Sequence, residues 1–178
     1  MTRAMRTLTG SLFISLAPLA SAQEESDPAA GRIASGFVSL AGSDDNALAL
    51  VLALRAGAPV RLTAPIPPLG SETPEVTLIV PPTGSMNWND VKMALMLARD
   101  ALQRYNIVRP SGEQLQAALT GGYVITPNGR RVNFRGVLQM RAEGLNWGRI
   151  AAERYRRPEV TSRSQADFRF EGLSSSLR

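Results

Sequence analysis

A short segment that occurs twice constrains the fold of this chain more than any other feature. It is Met-Asn-Trp-Asn-Asp-Val at residues 86–91 and Leu-Asn-Trp-Gly-Arg-Ile at residues 145–150, and these contain the chain's two tryptophans. We call them the first and second Asn-Trp segments. Asparagine is a strong helix N-cap because its side-chain oxygen accepts a hydrogen bond from a free amide of the first turn. The sequence therefore predicts that Asn87 and Asn146 begin two helices of the same design.

Each Asn-Trp segment also has the apolar pair that a hydrophobic staple requires. In such a staple, the residue before the N-cap packs against the residue five positions later. Met86 with Val91, and Leu145 with Ile150, fit this spacing. The neighbouring indoles are expected to be half buried, since an indole beside a staple covers apolar surface. The residues predicted to be structural are therefore Asn87, Trp88, Val91, Asn146, Trp147 and Ile150.

The chain around these segments predicts an α+β, helix-rich fold made of two short helix–hairpin–helix units. The apolar run at residues 47–54 ends near Gly57 and favours a buried helix, with a strand as the alternative. Residues 60–63 and 76–80 are typical of strands, and a proline-rich loop separates them. Residues 123–134 predict a second hairpin, in which Asn-Gly favours a type I′ turn. Further helices are predicted at residues 88–104, from Ser111, at 136–142 and at 147–155.

The two predicted units share their spacing. Leu50-x-x-x-Leu54-x-x-Gly57 matches the motif from Leu115 through Leu119 to Gly122 at an offset of 65. The Asn-Trp segments match at an offset of 59. This order predicts a duplicated αββα unit, with chance recurrence of common cap and stop signals as the alternative.

The first 22 residues have the features of a signal peptide. Arg3 and Arg6 precede an apolar run at residues 8–19, and Ala20-Ser21-Ala22 is the small-x-small pattern that precedes cleavage. The run is shorter than the roughly 20 residues that a membrane span needs. A buried N-terminal helix is the alternative. We expect a periplasmic or secreted protein, cleaved after Ala22, with no transmembrane segment after cleavage.

Composition divides the rest of the chain. Residues 23–35 lack apolar periodicity and are predicted to be a flexible leader, and residues 158–178 a disordered tail. Residues 36–105 and 106–157 hold the first and second units. The chain has no cysteine, so packing rather than disulfides must stabilise it. Residues 23–100 carry five basic and nine acidic side chains, whereas residues 101–178 carry thirteen basic and six acidic.

Missing residue types exclude several classes of chemistry. The chain has no His and no Cys, which removes Ser-His-Asp and Cys-His nucleophilic sites and the usual zinc sites. It has no phosphate-binding or dinucleotide-binding glycine motif. Asp44, Asp45 and Asn46 could contribute to a calcium site, but a helix cap explains them without an ion. Nothing in the sequence places Asp90 and Glu113 opposite each other as a glycosidase would require. We therefore predict no enzyme activity, no metal and no cofactor.

Basic and aromatic residues alternate in the second unit. Tyr123, Phe134, Trp147 and Tyr155 lie among several arginines. This combination is typical of a surface that binds nucleic acid or an anionic glycan. The alternative is that the aromatic residues belong to the core and the arginines face solvent. The residues of this predicted arginine surface are Arg130, Arg131, Arg135, Arg149, Arg154, Arg156 and Arg157.

The segment at residues 138–151, Leu-Gln-Met-Arg-Ala-Glu-Gly-Leu-Asn-Trp-Gly-Arg-Ile-Ala, carries two resemblances. It resembles the LR-x-x-G-x-x-W-x-x-IA segment of helix-turn-helix DNA-binding modules. The chain departs from that pattern at Arg156-Arg157-Pro158, where a recognition helix should follow. The segment also resembles uncharacterised exported bacterial proteins in which Gly-Leu/Met-x-Trp-Gly-x-Ile-Ala recurs. That resemblance implies export and no particular activity.

These observations predict an exported, non-catalytic protein that serves as an interaction or structural module of the periplasm or cell surface. The alternative is a binder of anionic polymers, such as lipopolysaccharide, glycan or nucleic acid, through the arginine surface. The expected partner is accordingly an envelope protein or an anionic envelope polymer, and the sequence identifies neither.

Overall fold

The computed structural model describes residues 27–64 and 74–155, and it has the α+β, helix-rich architecture that the sequence predicts. The predicted signal peptide, the predicted tail and most of the proline-rich loop lie outside these ranges. The elements in chain order are α1 (Pro28–Ser35), α2 (Val38–Ala41), α3 (Asp44–Ala56), β1 (Val60–Thr63), β2 (Val76–Ile79), α4 (Trp88–Gln103), α5 (Gly112–Thr120), β3 (Gly122–Ile125), β4 (Arg131–Phe134), α6 (Val137–Ala142) and α7 (Trp147–Tyr155).

The prediction of a flexible leader over residues 23–35 is wrong for residues 28–35, which form α1. Asp27 caps this helix by accepting a hydrogen bond from the Ala29 amide at 2.8 Å, and proline suits the first helical position that follows. Ala30 and Ala34 are buried where α1 packs on α3. A helix this short depends on tertiary packing for its stability. Its buried residues are two alanines, and without a stripe of large apolar residues the sequence reading did not indicate this helix.

The apolar run at residues 47–54 lies inside α3, so the helix prediction is confirmed and the strand alternative is wrong. Ser43 caps α3, and Gly57 ends it in the left-handed conformation. Asn46 is buried: its amide nitrogen donates to the carbonyl oxygens of Ala41 at 3.0 Å and Thr63 at 2.8 Å. The polar start of α3 therefore works as a helix cap and as a tether to β1.

Strands β1 and β2 form one antiparallel hairpin, and β3 and β4 form a second. The second hairpin is confirmed, but the predicted type I′ turn is wrong. The loop has three residues, because Thr126 and Arg130 pair through the Thr126 amide at 2.9 Å, and only Gly129 within it has a positive φ. Pro127 explains the difference, since its fixed negative φ suits a type I turn followed by a glycine bulge.

Helix α5 joins the two predicted units. It contacts β2 and α4 of the first unit and β3 and α6 of the second. Its predicted capping box is confirmed, with Ser111 and Gln114 bonding each other's backbone amides. The helix ends at Gly121, whereas Gly122, which the repeat alignment matched to Gly57, is the first residue of β3.

Both units contribute to one core cluster. The leucines that the repeat alignment matched are all fully buried, and the helix–hairpin–helix order occurs in both halves. Duplication itself stays a prediction. The matched leucines are Leu50, Leu54, Leu115 and Leu119.

Candidate functional site

Both Asn-Trp segments begin helices as predicted. The side-chain oxygen of Asn87 accepts from the Asp90 amide at 2.9 Å, and that of Asn146 accepts from the Arg149 amide at 2.9 Å. In each case the asparagine bonds the third residue of its helix, which is the N-cap geometry. The N-cap predictions for both asparagines are therefore confirmed.

The staple residues and the indoles lie where the sequence places them. Met86, Val91 and Ile150 are buried, and Leu145 packs against the core with part of its surface exposed. Both indoles are also partly buried against the core cluster. The structural role predicted for the two segments is consistent with this burial, because each helix start packs its apolar residues inward.

An arginine that the sequence analysis did not single out covers the first indole. Arg55, near the end of α3, holds its guanidinium carbon 5.2 Å from the ring centroid of Trp88. Its Nη1 also donates to the Met86 carbonyl oxygen at 2.8 Å, and its own carbonyl accepts from the Met86 amide at 3.1 Å. The end of α3 is thereby fixed to the residue that precedes the first N-cap.

The second indole has the same arrangement, built by a different helix. Arg141 of α6 holds its guanidinium carbon 5.0 Å from the ring centroid of Trp147. Its Nη1 donates to the Leu145 carbonyl oxygen at 3.2 Å. Leu145 precedes the second N-cap as Met86 precedes the first. Each segment thus has an arginine from the preceding helix that stacks on its indole and bonds its staple residue.

Asp90 connects the two segments. Its Oδ1 accepts from Nε1 of Trp147 at 2.6 Å, across 57 positions of sequence. Its Oδ2 accepts from Nδ2 of Asn87 at 3.1 Å and lies 3.9 Å from Nη2 of Arg141. Sequence reasoning considered Asp90 as one carboxylate of a glycosidase pair. Nothing in the sequence near Asp90 indicates its contact with Trp147.

The structure describes the side chains of only four of the seven residues of the predicted arginine surface. Arg130, Arg131 and Arg149 are exposed, and Arg135 is exposed but forms an ion pair with Glu143. Arg154 lies in α7, and its side chain is not among those described. The two remaining residues, Arg156 and Arg157, lie outside the described residues.

The aromatic residues that were predicted to interleave with these arginines divide into two groups. Tyr123 is 55% exposed, and the Arg131 guanidinium carbon lies 3.8 Å from its ring centroid. Phe134 instead packs against the core and contacts Tyr105, with ring centroids 5.5 Å apart. Trp147 also belongs to the core side, and the side chain of Tyr155 is not described. The second hairpin therefore carries an exposed arginine stacked on an exposed aromatic ring.

Both hairpins expose apolar side chains on their outward faces, which sequence reasoning missed. Val76 and Leu78 of β2 are 55% and 47% exposed, and Tyr123 and Ile125 of β3 are similarly exposed. The cross-strand partner of Leu78 is Arg61, and that of Ile125 is Arg131. The two outward faces therefore have the same chemistry: an apolar row on one strand with an arginine beside it.

Helix α5 holds both hairpins through two glutamines. Nε2 of Gln116 donates to the Leu78 carbonyl oxygen at 2.9 Å, and Nε2 of Gln114 donates to the Ile125 carbonyl oxygen at 3.2 Å. The carbonyls that are bonded belong to the strands whose outward faces are apolar. We call the five residues Val76, Leu78, Val80, Tyr123 and Ile125, all at least 47% exposed, the hairpin surface.

Two further observations concern the described part of the chain. Residues 27–64 and 74–155 include no cluster of three or more acidic side chains that could hold a metal ion. None of the helices in those ranges combines the length and apolar character needed to cross a membrane. Comparison of the sequence and fold with models of known families, with curated proteins and with solved structures finds no match.

Proposed function

We propose that this protein is an exported, non-catalytic interaction module that binds a partner protein of the periplasm or cell surface through the hairpin surface. The observation that carries the proposal is the concentration of exposed apolar side chains on two hairpins whose inward faces already pack on the core. Exposed apolar groups that cluster and are rimmed by polar residues mark protein–protein contacts more often than scattered ones do.

The chemistry of the hairpin surface indicates what the partner should present. An apolar ridge would bury against Val76 and Leu78, and acidic side chains would face Arg61 and Arg131. Charge pairs at the rim chiefly steer association and set specificity, whereas the buried apolar anchors carry most of the affinity. We infer that the apolar residues determine whether binding occurs and the arginines determine how fast.

Site-specific photocrosslinking in the envelope of the producing cell tests this proposal. A photoreactive residue at position 78 and another at position 125 should give an adduct of the same partner. Position 52 provides the matched control, since Leu52 on α3 is 42% exposed and Leu78 is 47% exposed. The adduct should weaken on Arg61→Glu. Equal labelling from all three positions, or an adduct with a second copy of this chain, would contradict the proposal.

Export itself is tested by fractionation. The periplasmic or secreted form should begin at Gln23, as read by mass spectrometry of its N-terminal peptide. Full-length chain retained in the cytoplasm would contradict the location that we propose.

The second candidate function is the binding of anionic polymers through the arginine surface. The observation that favours it is the exposed stack of Arg131 on Tyr123, a pairing that suits a base or a sugar ring beside an anionic group. Retention on immobilised heparin should fall steeply with salt, because binding releases counterions. Arg130→Ala and Arg131→Ala should each lower the salt slope by about 1, and Arg135→Ala by less, since Arg135 already pairs with Glu143.

Matched charge variants decide whether this second function is specific. Arg61→Ala and Arg109→Ala remove the same charge from exposed positions outside the arginine surface. They should leave the salt slope nearly unchanged. Retention that does not depend on salt, or that survives the combined loss of Arg130, Arg131 and Arg135, would contradict polyanion binding.

A further inference from the structure

A groove lies between α1 and α4, and its lining includes no residue of the hairpin surface or of the two Asn-Trp segments. It has a volume of about 560 Å³, which is within the range of roughly 300–1,000 Å³ typical of small-molecule sites. The two helices supply its walls. The residues that line it are Ala29, Arg32, Ile33, Gly36, Phe37, Lys92, Met96 and Arg99.

The floor of the groove is apolar. On α4, Met96 lies between Lys92 and Arg99 at helical spacing, so the three residues share one face. From the α1 side, Ile33 and Phe37 complete the floor; Phe37 is 5% exposed and belongs to the core cluster. An apolar body can therefore lie along the groove without covering an unsatisfied polar group of the floor.

The rim of the groove is cationic. Arg32, Lys92 and Arg99 are the charged residues that line it, and all three are basic. Arg32 bonds the Pro28 carbonyl through Nε at 3.1 Å, and Arg99 places its guanidinium carbon 5.4 Å from the Phe37 ring centroid. Both contacts hold an arginine beside the floor.

Two carboxylates of the same region are already engaged. Asp27 accepts from the Ala29 amide as the cap of α1, and Asp100 lies 3.9 Å from Nε of Arg99. Neither carboxylate lines the groove. Three cations around an apolar floor attract a ligand that has an anionic head and an apolar body.

We propose that this groove binds a single-chain anionic amphiphile, with its acyl chain on Ile33, Phe37 and Met96 and its phosphate or carboxylate head between Arg32, Lys92 and Arg99. A peptide fits less well, because each buried residue would bring an N–H and a C=O that need partners. The floor is made of Ala29, Ile33, Phe37 and Met96 side chains, which offer none. An acyl chain brings no such groups.

The chain's single lysine provides a direct readout at the rim. Lys92 is the only lysine in the sequence, so acylation of its side chain by a water-soluble amine-reactive ester can be followed by peptide mass spectrometry. Dodecyl phosphate, used below its micellar concentration on the full mature chain, should slow this acylation. Dodecyl maltoside, with the same chain and a neutral head, and inorganic phosphate, with no chain, should both leave the rate unchanged.

Calorimetry with dodecyl phosphate measures the contribution of each part of the groove. Replacing two rim cations with Arg32→Gln and Lys92→Gln should weaken binding about tenfold, since each partly exposed charge pair contributes modestly. Arg61→Gln with Arg109→Gln, which makes the same charge change elsewhere, should weaken it less than about twofold. Met96→Gln keeps the side-chain length and should weaken binding about threefold to tenfold through the acyl chain.

Three outcomes would overturn the proposal. The first is equal binding of dodecyl phosphate and dodecyl maltoside, which would show that the cations do not recognise the head. The second is an equal loss from the groove pair and the control pair of variants, which would indicate non-specific attraction of an anion. The third has two parts: the protein sediments with anionic phospholipid vesicles equally well with and without Met96→Gln, and dodecyl phosphate does not protect Lys92. That result would show that Arg32, Lys92 and Arg99 bind a bilayer surface instead of a single amphiphile. Circular dichroism must show that each variant keeps its helical content.

Discussion

The two Asn-Trp segments share a local design but differ at one position that matters. Each has an asparagine cap, an apolar staple and an arginine stacked on its indole. The third helical residue is Asp90 in the first segment and Arg149 in the second. A helix N-terminus carries a partial positive charge, which favours an acidic residue there and disfavours a basic one.

The contact between the segments compensates for this difference. The carboxylate of Asp90 bonds the Trp147 indole and lies near Arg141, so one acidic residue serves both helix starts. Both segments make an N-cap bond within their own first turn, but the second also relies on Asp90 of the first to accept from its indole N–H. The comparison teaches that two copies of one sequence motif can be locally alike and energetically unequal.

Replacing Asp90 should have the largest effect on this comparison. Asp90→Ala leaves a part-buried indole N–H without its acceptor, and we expect a loss of about 2–3 kcal/mol in the free energy of unfolding. Asp90→Asn keeps an acceptor and should cost about 1 kcal/mol. Urea denaturation measures both. Asp100→Ala, at an exposed position of the same helix, should change stability by less than about 0.5 kcal/mol. Equal effects at the two aspartates would contradict the proposed connection.

The two asparagine caps should differ in their contribution to stability, by less than the effect of replacing Asp90. Asn87→Ala and Asn146→Ala should each cost about 1 kcal/mol, the usual value for losing an N-cap. Asn87→Ala should cost more, because Nδ2 of Asn87 also bonds Asp90. A double-mutant cycle with Asp90→Ala should give a coupling energy for Asn87 and little for Asn146. Asn89→Ala, at an exposed position inside α4, serves as the control. Identical coupling energies of Asp90 with Asn87 and with Asn146 would contradict the proposed inequality between the two segments.

The two stacked arginines, Arg55 and Arg141, should contribute less to stability than the asparagine caps do. Arg55→Met and Arg141→Met keep an apolar stem over each indole but remove the cation and its hydrogen bond to the staple carbonyl, at a cost of about 0.5–1 kcal/mol each. Arg141→Met should lie at the upper end, since Arg141 also faces Asp90. Arg61→Met on β1 is the control with an exposed arginine. Thermal unfolding measures all three, and a control as destabilising as the two test variants would remove the support for a role of stacking.

Fluorescence should detect the smallest difference. Trp88→Phe leaves Trp147 as the only emitter, and Trp147→Phe leaves Trp88. Both should emit to the blue of free tryptophan, because each indole is partly buried against the core. Acrylamide is the preferred quencher, since the adjacent arginines would attract iodide. Adding Asp90→Ala should shift the emission of Trp147 but not that of Trp88. Readily quenched indoles in both variants would contradict the packing described for the two segments.

Local signals explain which parts of the fold the sequence predicts well. The caps at Asn87 and Asn146, the capping box from Ser111 and the buried run of α3 depend on residues within one or two turns. Such signals involve few residues and act at short range, so a sequence pattern can indicate them. The second hairpin was predicted for the same reason, and its turn type was wrong because Pro127 outweighed the Asn-Gly preference.

The parts that were missed depend on distant residues or on burial without periodicity. Helix α1 has buried alanines and no stripe of large apolar residues. The bond from Trp147 to Asp90 spans 57 positions, and nothing local to either residue indicates it. The outward apolar faces of the hairpins could not be distinguished from core, since alternation tells which residues share a face but not which face is covered. The groove between α1 and α4 could not be predicted for a related reason, because one of its walls was taken for a leader.

The two glutamines of α5 have a consequence for how the molecule opens. A lone two-stranded sheet is marginally stable in water, and each hairpin here has two strands. Gln114 and Gln116 of α5 each form a hydrogen bond to a backbone carbonyl of one hairpin strand. If α5 unfolds, each hairpin loses its glutamine anchor in the same event, while β1 keeps its tether to Asn46 of α3. Strand edges that lose their cover become available for pairing with another chain. Release of α5 would therefore expose the edges of two separate two-stranded sheets together, which raises the risk of aggregation.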